Sequence, residues 1–209
     1  GNIAKAYVVQ DSQLDSKSGA NSDARVANPL ALNMYLLGFD SSKKLVAVNQ
    51  AVKENVQTYL TQFRMVTDAV NIKNAFVINI GVKFNILTKV GYNAEEVVLL
   101  AIQRVKDYFN IDKWQIGQPI VLADLAYQLS LVNGVSSVVP PEEDNPNGHP
   151  VLITNKFKIS GGYSGNAYDM VGATKDGIVY PSLDPSCFEL KFPNTDIEGR
   201  VIGSTSGGN

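Results

Sequence analysis

Residues 74–87 read NAFVINIGVKFNIL. Phe76, Ile78, Ile80, Val82, Phe84 and Ile86 alternate there with Val77, Asn79, Gly81, Lys83 and Asn85. Successive side chains of a strand point to opposite faces, so this stretch predicts a half-exposed strand with one apolar and one polar face. The apolar face needs a cover, and the next segment supplies one. Asn93-Ala94-Glu95-Glu96 has the form of a capping box, with Asn at the N-cap and Glu at the third helical position. Val98, Ile102, Val105 and Phe109 then recur at helical spacing, predicting an amphipathic helix that ends near Asn110.

Working outward, IGQPIV (116–121) reads as a short strand with an edge proline, and LADLAYQLSLV (122–132) as a second helix. Asn133-Gly134 stops that helix, and VSSVV (135–139) closes the unit as a strand. Upstream, AKAYVVQ (4–10) and ALNMYLLGF (31–39) are strand-like, separated by a polar stretch (11–29) that reads as a long mobile loop. Asp40-Ser41-Ser42 offers an N-cap, and Val48, Val52, Val56, Tyr59 and Phe63 form one stripe, predicting a helix over about 43–61. Downstream, PPEEDNPNGHP (140–150) is a linker. Beyond it the short runs VLITNKFKIS, DGIVYP, CFELKF and GRVIG are divided by turn residues with no helical period, and STSGGN is expected to be disordered. The expected fold class is α+β: strand–helix units with mixed sheets covered by amphipathic helices, followed by an irregular β-rich C-terminal segment. Three parts follow from these shifts in character: 1–72, 73–140 and 141–209.

Composition narrows the function. A chain of 209 residues buries roughly 70–75% of its unfolded surface and needs no metal or disulfide staple. Only 18% of residues are charged, below the usual ~25%, which favours a surface that meets other protein. A net charge of −2 provides no global field for nucleic-acid phosphates. No apolar run has the ~20 residues of a membrane span. Starting at Gly1 rather than Met, the chain is expected to be a piece of a longer protein. Cys187 stands alone, so it forms no internal disulfide and reads as a packing thiol, as in a reducing cytoplasm.

No catalytic constellation emerges. His149, the sole histidine, sits in NGHP without a second ligand at metal-site spacing. Ser164 in GGYSGN lacks the Gly-x-Ser-x-Gly spacing and following helix of a nucleophile elbow. Gly172 to Gly177 lacks the Lys-Ser/Thr pair of a phosphate loop. Glu142, Glu143 and Asp144 lack the alternation of a calcium loop and read as a solvated linker. Phe76, Phe84, Tyr108, Phe109 and Trp114 are not interleaved with basic residues, so they read as core rather than as a base-stacking platform. The expectation is a non-enzyme with no cofactor and no metal.

Residues 81–138 carry a resemblance. A strand leads into a long helix ending in Tyr108-Phe109, then an IGQPI turn-strand (Ile116 to Ile120), a short helix with Asp124-Leu125, and a Gly134-Val135 strand with Val138. This pattern resembles the C-terminal half of the baseplate J-like family of contractile-tail proteins. The tail KDGIVYPSLDPSCFELKFPNTDIEGRV (175–201) resembles the C-terminus of T4-type phage baseplate wedge proteins, and together the likeness covers about 29–203. Such proteins are far longer, so this chain would be their C-terminal third.

The resemblance implies a structural role in the virion tail baseplate, assembled in the host bacterial cytoplasm. The implied partners are the protein itself, as dimer or ring, and other wedge proteins, with rearrangement on sheath contraction. For the interface, Phe188, Leu190 and Phe192 form a same-side row in CFELKF, with Ile178 and Tyr180 as neighbours. Completion of the chain's own core is the competing reading of that row. A different class of function is a host-surface glycan-binding module presenting the loop GGYSGNAY (161–168), and Tyr163 above all.

Overall fold

A computed structural model describes residues 3–10, 31–63, 69–142, 145 and 148–205. The loop expected over 11–29 lies outside the described residues. The fold class is α+β as expected, with five α-helices and twelve strands in mixed and antiparallel sheets among the described residues. The chain forms two compact units. One comprises Gly1–Val77, Gln115–Gly117 and Pro181–Cys187; the other comprises Ile78–Trp114, Gln118–Tyr180 and Phe188–Asn209.

In the first unit, β1 (Ile3–Gln10) runs antiparallel to β2 (Ala31–Phe39). On the other side of β2, β3 (Leu45–Val46) pairs antiparallel and β4 (Ala69–Asn74) parallel. A parallel return needs a crossover, which α1 (Gln50–Thr61) provides. The expected helix start at residue 43 is wrong. Asp40 instead caps a hairpin: its Oδ1 accepts from the N–H of Ser42 and of Lys44, both at 2.8 Å, and Lys43 turns the chain at φ 57°. The helix begins only where Asn49 accepts from Val52 N–H at 2.9 Å. The segments that return to this unit are fastened by backbone bonds, Phe76 N–H to Pro185 O at 2.9 Å and Gly117 N–H to Ser186 O at 2.8 Å.

The second unit is built on β5 (Phe76–Lys89), most of which lies in it. Antiparallel partners on one side are β7 (Val135–Val139) and β8 (Val151–Asn155). β12 (Ile197–Thr205) runs parallel to β5, and β11 (Ser186–Glu189) also pairs with it. The end STSGGN, expected to be disordered, begins inside β12, and its last four residues lie outside the described ones. Helices α2 (Ala94–Tyr108) and α3 (Leu122–Ser130) pack on each other and on this sheet. Ile80, Val82, Phe84 and Ile86 are completely buried, as are Ala101 and Val105 of α2 and Leu125 and Leu129 of α3.

Further details differ from the sequence expectation. The buried row of α2 is Val97, Ala101 and Val105, while Val98 and Ile102 are only half-buried. β5 is not half-exposed along its length: residues 77–82 are buried on both faces, including Asn79 and Gly81. β6 (Ile120–Val121), β9 (Thr174–Lys175) and β10 (Ile178–Val179) make a small third sheet. Contrary to the expectation of no helix after residue 150, single turns form at α4 (Met170–Ala173) and α5 (Pro193–Asp196). No helix among the described residues is long and apolar enough to cross a membrane.

Candidate interaction surfaces

The tail residues singled out from the sequence divide between inside and outside. Phe188 and Leu190 are buried within the chain, and the Phe188 ring lies 6.2 Å from Tyr168. Ile178 is half-buried in β10, while Tyr180 is 46% exposed and Phe192 37%. Of the five, these last two are the most exposed. Cys187 and Glu189 are buried too, so β11 has no solvent side on which an apolar row could stand out.

Burial of both faces of β5 and β11 demands polar partners for their polar side chains. Asn79 Nδ2 donates to Glu189 at 2.8 Å, and its Oδ1 accepts from Ser164 N–H at 2.8 Å. Asn155 adds a second anchor, accepting from Tyr168 N–H at 2.8 Å. Tyr163 donates its hydroxyl to Asp196 at 2.6 Å, and its ring meets Phe192 edge-on at 5.3 Å. Burial, and then the Asp196 hydrogen bond, pushes the Tyr163 phenol up to about 12. The groups that the glycan reading would present, from Tyr163 to Tyr168, are therefore engaged within the chain.

The motifs with superficial chemistry resolve into structure. Asp169 caps α4, accepting from Gly172 N–H at 3.0 Å, and Asp176-Gly177, both at positive φ, make the two-residue turn between β9 and β10. Asn145 accepts from His149 N–H at 3.1 Å and donates to His149 O at 2.9 Å, tying that histidine into a turn. Buried Cys187 packs with its Sγ 3.7 Å from Gln115 O. Glu143 and Asp144 lie outside the described residues. Among the described residues no cluster of His, Cys, Asp and Glu could hold a metal ion.

Among the described residues, three surfaces stand open. The first is α1, where no residue is buried; Tyr59 and Phe63 stand 61% and 69% exposed, their rings 5.0 Å apart. The second is the face of the β5–β12 sheet marked by Lys83 and Asn85 and, directly across the register, Glu198 and Arg200. A groove of about 440 Å³ runs there, closed at one side by Val139, Pro140, Pro141 and Glu142. Glu198 accepts from Lys83 at 3.2 Å and lies 3.9 Å from Lys156. The third is the outer edge of β12, with which no strand pairs among the described residues. Sequence reasoning recognised the α1 stripe as amphipathic but gave no signal that it stays uncovered. The edge position of β12 depends on strand order, which no local pattern encodes.

Compared with known proteins, the chain matches no family model and no curated protein.

Proposed function

We propose that this chain is a structural subunit of a contractile-tail phage baseplate wedge, one that associates with itself and with neighbouring wedge proteins. In this reading it has no catalytic residue and no cofactor. It belongs to the virion tail, assembled in the host cytoplasm, and its interfaces shift when the sheath contracts. The residue pattern of 81–138 and the tail 175–201 support the family assignment.

The observation that carries the reading is α1. Amphipathic helices of folded domains bury their apolar stripe, yet Val52 and Val56 are only half-buried and Tyr59 and Phe63 open to solvent. Exposed aromatics of this kind fit a protein–protein contact, where Tyr and Phe are enriched. Light scattering behind a sizing column, across a range of concentrations, tests the self-association. A dimer or larger species is expected; a monomer at every concentration would remove self-association from the reading.

A further inference from the structure

The five residues Ile197-Glu198-Gly199-Arg200-Val201 of β12 form a self-complementary pattern. Turned end for end, the segment again reads apolar, charged, glycine, charged, apolar, with the two charges exchanged. Laid antiparallel on its own copy about Gly199, it sets Glu198 opposite Arg200 and Ile197 opposite Val201. Directly opposite residues of an antiparallel pair share a face of the sheet, so each match is a real neighbour.

The structure places these residues correctly for such a pair. Among the described residues β12 is an edge strand, and its register with β5 runs unbroken through the self-complementary part, Ile197 to Val201, before it shifts between Val201 and Gly203. Glu198 and Arg200 share the open face with Lys83 and Asn85. Arg200 is exposed and forms no salt bridge among the described residues. Buried Ile197 lies on the opposite, helix-covered face, and Gly199 sits against the Phe84 ring. Beside this edge, Val98 and Ile102 of α2 share a helix row with Lys106, whose Nζ donates to Asn194 at 2.8 Å in the turn that leads into β12. Their half-exposed side chains, with Leu99 at 67% exposure, form an apolar shelf that a second strand would cover.

We propose that β12 pairs with β12 of a second copy, antiparallel and centred on Gly199, joining two sheets across a two-fold axis. The proposal deepens the self-associating reading above and rests on it. A two-fold contact closes at the dimer; contacts that extend a ring would use another surface, such as α1.

Charge exchange tests it. In Glu198→Arg or Arg200→Glu, each two-fold pair acquires two like-charge contacts, so the dimer dissociation constant is expected to rise roughly ten-fold or more. Mixed in equal amounts, the two variants make only opposite-charge contacts with each other, and a heterodimer of unsubstituted affinity should return. Arg200→Glu leaves the Glu198 contacts with Lys83 and Lys156 in place, which keeps folding separate from association. Sedimentation of each variant and of the mixture reads the result. An unsubstituted dimer whose affinity neither variant changes, or a mixture that stays monomeric, would overturn the β12 assignment and leave self-association standing on another face. An unsubstituted chain that is always monomeric would overturn both.

Discussion

Asn79 and Glu189, 110 residues apart in sequence, are joined by a 2.8 Å hydrogen bond between two fully or nearly fully buried side chains. The same amide accepts from the backbone of Ser164, so one residue of β5 holds both β11 and the loop that carries Tyr163. Asn79→Ala removes the donor to a buried carboxyl and the acceptor of a part-buried N–H together. The expected cost is about 2–4 kcal/mol, from the penalty of leaving buried polar groups without their partners. Urea unfolding measures it, and proteolysis should find residues 161–168 cut sooner in the variant. An unchanged midpoint would mean that the carboxyl's remaining contacts suffice without Asn79.

That bond also explains where the sequence stops being legible. The strands at 31–39 and 135–139, and the helices at 94–108 and 122–130, come from periodicity and caps, which are local. Asn79 reads as solvent-facing because polar residues alternating with apolar ones usually are. Its actual burial depends on Glu189 and Ser164, which arrive from far along the chain. β11 misleads for the same reason: a row such as Phe188, Leu190 and Phe192 looks one-sided only if the other face meets water. The early helix start at residue 43 has a local cause, since an Asp-Ser-Ser cap and an aspartate turn use the same hydrogen bonds.

Gly199 lacks space for any side chain. A Cβ there would lie 2.6 Å from Cζ of Phe84, a ring with no exposure to solvent. Gly199→Ala should therefore destabilise the second unit by about 1–3 kcal/mol through overpacking. Phe84→Leu shortens the side chain at the point of collision, so the double variant should be less destabilised than the two single losses added together. Additive losses in thermal unfolding would place the strain elsewhere.

Phe188 and Phe192 should part company when each is replaced by Asp. At 1% exposure Phe188 gives up core packing and buries a charge, so the chain should lose its cooperative unfolding transition. At 37% exposure Phe192 loses mainly its edge contact with Tyr163, at a cost of roughly 1 kcal/mol. Circular dichroism through a thermal ramp separates the two outcomes. A folded Phe188→Asp chain with normal cooperativity would return that residue to the interface.

Tyr108 and Tyr163 give the chain an alkaline limit. Burial and then the nearby Asp124 charge raise the Tyr108 phenol to about 12, and burial and then the Asp196 hydrogen bond raise that of Tyr163 to about 12. In the unfolded chain both phenols ionise near 10. Below that pH both states keep their protons and the stabilisation is complete. Between about 10 and 12 the unfolded chain gives up protons that the folded chain retains, so unfolding becomes easier as pH rises. Replacing both residues with Phe should flatten this part of the stability curve relative to the unsubstituted chain, since ionisation of other groups is common to the two. Urea midpoints taken from pH 9 to about 12 give the comparison. Parallel curves would show that neither phenol keeps its raised pKa in solution.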